Sequence, residues 1–146
     1  MEMIDFYALG IKEILAAKRG EDIVAQNGDT IPNSRIAYLP YSPRSYAYLS
    51  DTQYSAKAAT LVAGADLLYH EATFRIQDKA LARQTGHSTT LDAAKAAVKA
   101  DAGHLLIGHI SNRYKNSEDV LNEVRSVFPR SDIATELQTY KIEKKR

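Results

Sequence analysis

Four short pieces of this sequence carry the side chains that can do chemistry: Ser50-Asp51-Thr52, His70-Glu71-Ala72-Thr73, Gly86-His87-Ser88-Thr89 and His109-Ile110-Ser111-Asn112-Arg113-Tyr114. Three of the four histidines lie in them. Three of the pieces follow an apolar run directly: Tyr48-Leu49 before Asp51, Leu67-Leu68-Tyr69 before His70, and Leu105-Leu106-Ile107-Gly108 before His109. Short apolar runs are how strands buried on both faces read, and groups just beyond the carboxyl ends of parallel strands gather along one sheet edge. Asp51, His70 and His109 are therefore expected within reach of one another. Taken singly, such a residue is more often a cap or a hydrogen-bonded loop residue than a ligand. His104 opens its strand at the end opposite His109 and is given no role.

The sequence has no cysteine, so a metal here must be held by imidazole and carboxylate groups. Those donors suit zinc, and an aspartate can bridge two ions. A two-metal centre polarises a phosphoryl oxygen and steadies charge on the attacking and leaving oxygens, while a histidine beside it protonates the leaving group. A hydrolytic zinc needs about three protein ligands, and Asp51 with His109 supplies two.

The elements that must position these groups follow from periodicity and punctuation. Residues 4–20 suit an extended lead-in and a short helix ending at Gly20. Gln26-Asn27-Gly28-Asp29 marks a hairpin tip, and a second hairpin is expected to pair 35–39 with 45–49 across Pro40 and Pro43. Ser55 caps a helix over 56–63, and 65–69 returns as a strand. A polar helix over 75–84 leads to Gly86-His87. Thr89 or Thr90 then caps the clearest helix, with Leu91, Ala94, Ala97 and Val98 at helical spacing. His104–Gly108 is the next buried strand, followed by a helix capped by Ser117 whose apolar face is Val120, Leu121, Val124 and Val127. Two short strands, 131–134 and 137–142, are expected before the basic terminus.

With 146 residues, 45% hydrophobic and 25% charged, the sequence supports one core. A formal net charge of +1 gives no global field toward nucleic acid, and is compatible with a local basic patch. No apolar run approaches the ~20 residues of a membrane span, and the first residues lack signal-peptide order. A cytoplasmic protein with no membrane partner is expected.

In combination, Ser-Asp-Thr, Gly-Ala-Asp-Leu-Leu-Tyr-His-Glu-Ala-Thr-Phe, Gly-His-Ser-Thr-Thr and His-Ile-Ser-Asn-Arg-Tyr resemble the carboxyl-terminal half of ribonuclease Z, the tRNA 3′-processing endonuclease family of the metallo-β-lactamase superfamily. The resemblance spans about 45–135. It implies an α/β fold, one half of an αβ/βα sandwich with a mixed sheet and flanking helices. Residues 35–146 would form that half, and 1–34 a linker following the amino-terminal half. It further implies that Asp51 bridges two zinc ions and His109 ligates one. His87 would donate the proton to the leaving 3′-oxygen with Glu71 in support, and Ser111 and Arg113 would face the scissile phosphate or acceptor stem. His70 is equally a structural residue.

One departure is large. The family's His-x-His-x-Asp-His signature appears nowhere in the 146 residues. The expectation is half of an enzyme: its partners are precursor tRNA and an amino-terminal half, zinc binding by this chain is weak, activity alone is absent, and an exposed apolar face makes it a homodimer. Two alternatives stand beside this: another zinc phosphodiesterase of the superfamily, and a metal-free interaction module.

Overall fold

The computed structural model describes residues 8–37 and 43–142. It divides into two compact units with the boundary between Ser42 and Pro43.

The first unit is small. Helix α1 (Ile11–Lys18) ends at Gly20, which has φ +86° and turns the chain as a left-handed residue does. Strands β1 (Ile23–Val24) and β2 (Thr30–Ile31) pair antiparallel about the Asn27-Gly28 turn, as expected. Ala17, Ile23 and Ile31 form its core. Among the described residues the second expected hairpin is absent. Arg35 and Ile36 lie instead in a single helical turn, α2 (Asn33–Ile36). The Asn33 side-chain amide donates to Ala17 O (2.7 Å) and its backbone N–H to Asp22 Oδ1 (2.8 Å), which fixes the turn. The rest of that expected hairpin arm, 38–39, and the first part of its turn, 40–42, lie outside the described residues.

The second unit is built on a four-stranded sheet in the order β3 (Tyr46–Leu49), β4 (Leu67–Glu71), β5 (His104–Gly108), β6 (Ser131–Ile133). All four strands run parallel, so among the described residues antiparallel pairing is confined to the β1–β2 hairpin. Helices make the crossovers. α3 (Ala56–Leu61) is capped by Ser55, whose Oγ accepts from Ala58 N at 3.1 Å. A 3-10 turn (Ile76–Asp78) leads into α4 (Lys79–Thr85), which stops at Gly86 with φ +79°. α5 (Thr90–Lys99) starts in a full capping box, where Thr89 and Asp92 satisfy each other's backbone N–H groups. α6 (Ser117–Arg125) is capped by Asn116, one residue before the expected Ser117.

Leu68, Leu105 and Ile107 pack against Ala93, Ala94 and Ala97 of α5 and Val120 and Val124 of α6, with Phe128 closing the end. The small alanines let α5 lie close on the sheet, and each large side chain buried here contributes about 1.5–3 kcal/mol. The helical faces are shifted slightly from expectation: Val98 is 55% exposed and Val127 39%, while Ala93 and Ala96 take the buried positions. Strand alternation sends Leu67, Tyr69 and Leu106 to the other sheet face. There Tyr48 stacks on Tyr69 with ring centres 4.6 Å apart.

The last expected strand, 137–142, is absent. Leu137 has φ +64° and is fully exposed, and the Tyr140 hydroxyl closes the segment on itself by accepting from Thr135 N and donating to Ile133 O. Side-chain hydrogen bonds here replace a ladder that the sequence pattern suggested. No helix among the described residues is long and apolar enough to cross a membrane.

Candidate active site

Register sets the site. Leu49 lies beside His70 and His70 beside Ile107, so β3, β4 and β5 end at nearly one level. The chain leaves two of these strands sharply: Asp51 has φ +48° and His109 φ +58°. Left-handed conformations in such residues are sparsely populated and mark places where the surroundings impose geometry. The segment after β4 is sewn between the other loops. Ala72 N donates to Gly108 O, Ser111 N to Thr73 O, Phe74 N to Ser88 O and Thr90 N to Phe74 O. The Ser88 hydroxyl donates to Thr52 O at 2.6 Å.

Glu71 sits at the centre, fully buried. Its Oε1 accepts from Thr52 N (3.0 Å) and lies 2.8 Å from His87 Nδ1, and its Oε2 accepts from Thr73 N (3.0 Å) and the Thr73 hydroxyl (2.8 Å). Burial works to raise its pKa. The hydrogen bonds from the Thr73 hydroxyl and amide, from His87 and from Ser88 N outweigh it and hold the carboxyl below its ordinary range. Glu71 is therefore an ionised acceptor, and His87 Nδ1 carries the hydrogen between them.

The Thr73 hydroxyl extends this order to the next ring. It has one hydrogen, given to Glu71, so its lone pair accepts from His109 Nδ1 at 2.8 Å. Both histidines thus present Nε2 outward. Asp51, His87 and His109 each offer a ligand atom, all within 4.8 Å of one another. His109 Nε2 and Asp51 Oδ1 stand 3.3 Å apart. With the imidazole neutral, two acceptors face each other, an arrangement that a cation between them satisfies. Two ligands held tetrahedrally at roughly 2.0–2.1 Å from a zinc ion also lie about 3.3 Å apart. The donor set fits the metal.

Ser111 and Arg113 lie on the loop after His109. Arg113 Nε donates to Ser111 Oγ at 3.3 Å, its guanidinium stands 5.1 Å over the Phe74 ring, and it approaches Asp78 at 3.7 Å. Tyr114 bonds Asp78 through its hydroxyl and accepts from Arg75 N. Tyr114 and the Asp78 contact hold the loop, while Arg113 keeps an exposed face near Phe74, whose ring is 6.2 Å from His87. His70 is turned away from this work. It is buried, and its Nδ1 donates to Glu71 O at 2.7 Å. His104 pairs with Asp132 (2.9 Å) at the other end of β5, and Arg125 joins the same carboxylate.

The strand ends predicted Asp51, His70 and His109 within reach of one another; Asp51 and His109 do meet, with His87 and Glu71, which the family resemblance had supplied, whereas His70 is buried away from them and Thr73 was missed. The signal was there: a hydroxyl two residues beyond Glu71, on the segment between the two histidine loops.

No family model matches the chain. It is 39% identical over 135 residues to ribonuclease Z of Bacteroides thetaiotaomicron, covering 92% of this chain and 43% of that protein. Against ribonuclease Z of Parabacteroides distasonis the identity is 42% over 128 residues, covering 88% and 42%, and against that of Nostoc it is 39% over 134 residues. In structure it is similar to the metallo-β-lactamase fold protein YhfI of Bacillus subtilis, with TM-score 0.55 and 28% identity over 60% of this chain and 35% of that one. The chain spans less than half the length of the curated relatives it matches. The fold is half of a metallo-β-lactamase-like domain, and over nearly all its own length the chain is similar to the carboxyl-terminal half of ribonuclease Z.

Proposed function

We propose that this chain is the carboxyl-terminal half of a zinc-dependent endoribonuclease that removes 3′ trailers from precursor tRNA and leaves a 3′-hydroxyl. The observation that carries it is the Asp51–His87–His109 cluster, backed by one ionised carboxylate at Glu71 that orients both rings. Asp51 and His109 would hold the metal, which when bound would supply Lewis-acid polarisation of a phosphoryl oxygen. His87, with Nδ1 fixed on Glu71, faces the leaving 3′-oxygen with Nε2 and passes it a proton. Ser111 and Arg113 orient the scissile phosphate from the loop after His109. An upstream half completes the ligand set, so this chain alone holds zinc weakly and is inactive.

A second reading has His87 as a third metal ligand, favoured by its place within the 4.8 Å cluster. One experiment separates them. In the protein completed with its upstream half, His87→Ala retains zinc and loses cleavage if His87 is the proton donor, and loses zinc if it is a ligand. Retained cleavage of precursor tRNA by Asp51→Ala would overturn the function altogether.

A further inference from the structure

A cleft of about 300 Å³ opens beside His87, between the loop after β3 and helices α4 and α5. It shares His87 with the metal-like cluster but includes neither Asp51 nor His109, so it flanks the reacting centre. Its walls are Gln53, Tyr54, Lys79, Arg83 and Lys95. Lys79 and Arg83 are four residues apart and share one face of α4, and Lys95 comes from α5. Gln53 Nε2 donates to Arg83 O at 2.8 Å, tying the loop to the end of α4 and holding the cleft's two sides together.

The charge of this cleft is unbalanced. None of the three cations makes an ion pair among the described residues. The one acidic group on the wall, Asp92, has Oδ2 committed to the Thr89 hydroxyl and amide in the capping box of α5. Tyr54 is 37% exposed, an aromatic face at the rim of a cationic groove. Cations that follow a backbone beside an aromatic platform are the recurring chemistry of single-stranded nucleic acid binding, and the volume lies at the lower end of small-ligand sites. Three cations without an ion pair among the described residues thus line one cleft, next to the residue proposed to face the leaving group.

We propose that this cleft is a nucleotide subsite for RNA. It takes the unpaired nucleotide that bears the leaving 3′-oxygen, with the base on Tyr54 and its neighbouring phosphates on Lys79, Arg83 and Lys95. The assignment of strand side rests on the function proposed above, because His87 protonates that oxygen.

The test is fluorescence anisotropy of this 146-residue chain with a labelled single-stranded RNA octamer, titrated at several salt concentrations. Arg83→Ala and Lys95→Ala are each expected to weaken binding several-fold and to flatten the log–log salt dependence by about 0.7 per lost phosphate contact. Tyr54→Ala is expected to weaken binding about ten-fold with an unchanged salt slope, and Tyr54→Phe to restore it. Lys57→Ala, on α3, serves as the surface-charge control and leaves affinity unchanged. Equal losses from Lys57→Ala and Lys95→Ala would overturn the subsite, as would absence of RNA binding or indifference to Tyr54. The two proposals fail separately. RNA bound through the cleft, with precursor tRNA left uncut by the completed protein, refutes the function and leaves the subsite standing.

Discussion

The Thr73 hydroxyl lies 2.8 Å from His109 Nδ1 and the same distance from Glu71 Oε2, so one buried carboxylate sets the tautomer of a ring it does not touch. With His109 in its proposed role as a metal ligand, Thr73 is bonded to the ligand rather than to the metal, and such partners typically account for 10- to 100-fold in metal affinity or activity. Thr73→Val keeps the shape and removes the relay. Cleavage by the completed protein is expected to fall by about that factor, and Thr73→Ser to recover most of it. Nitrogen-15 spectra of the histidines provide the independent reading: His109 loses its fixed Nδ1–H form in the valine variant, while His87, held by Glu71 directly, keeps its own. Unchanged His109 signals would mean that Thr73 only fills space.

Asp51 combines the side chain proposed to hold metal with an unfavourable backbone. Its φ of +48° is one that glycine adopts freely and alanine does not, and its side chain is 70% exposed, so little packing is lost on removal. Asp51→Gly and Asp51→Ala are both expected to abolish cleavage in the completed protein. They should differ in stability: the alanine variant falls below the glycine variant by about 1 kcal/mol. Chemical denaturation of both decides it. Equal stabilities would show that the left-handed conformation at the end of β3 is not imposed by the surroundings.

How far the sequence could be read depended on whether a feature was local. The strands β4 and β5, their helices α5 and α6, and the approach of Asp51 and His109 were legible because apolar runs and caps are local signals and parallel strands share an edge; Glu71 and His87 were reached through the family resemblance, and His70, expected beside them, is buried instead. The strand expected of 35–39 was not, because Asn33 reaches back sixteen residues to Ala17 O and settles Arg35 and Ile36 in a helical turn. The strand expected over 137–142 failed for a similar reason, since Tyr140 satisfies backbone groups at Ile133 and Thr135 that the pattern had assigned to a ladder. Thr73 escaped because its role is a junction among three loops, and no periodicity marks a junction. The basic cleft was hidden by overall neutrality: Lys79, Arg83 and Lys95 are scattered in sequence and adjacent in space.

Tyr46 and Tyr48 bear on association. They are 55% and 59% exposed on the edge strand β3, and Tyr48 is stacked on Tyr69. Aromatic surface of this kind is what a sheet face offers to a second layer, and large exposed apolar patches tend to be covered. The isolated chain is expected to dimerise through it at high concentration, with Tyr48→Lys shifting the equilibrium to monomer. Light scattering behind size exclusion, run across a hundred-fold range of concentration, reads this directly. A monomer at every concentration would show that the tyrosines are tolerated in water.

His70 predicts a pH dependence of stability. Burial holds its pKa below the ordinary histidine value, outweighing the bond from its Nδ1 to Glu71 O and the nearby carboxylates Glu71 and Asp92. The unfolded chain takes up a proton on this ring near pH 6.5, and the folded chain does so only at lower pH. Between those points the unfolded state binds more protons, so stability is fully present above about pH 6.5 and is lost as pH falls through the depressed folded value. Glu71, also held low, adds loss of the same sign at more acidic pH, below the ordinary carboxylate range. Urea unfolding from pH 8 to pH 5 should therefore show a falling midpoint. In His70→Phe, which fills the site without titrating, the fall between pH 6.5 and 5 should shrink even if overall stability changes. An unaltered slope in that variant would assign the acid sensitivity to other groups and leave His70 as a packing residue alone.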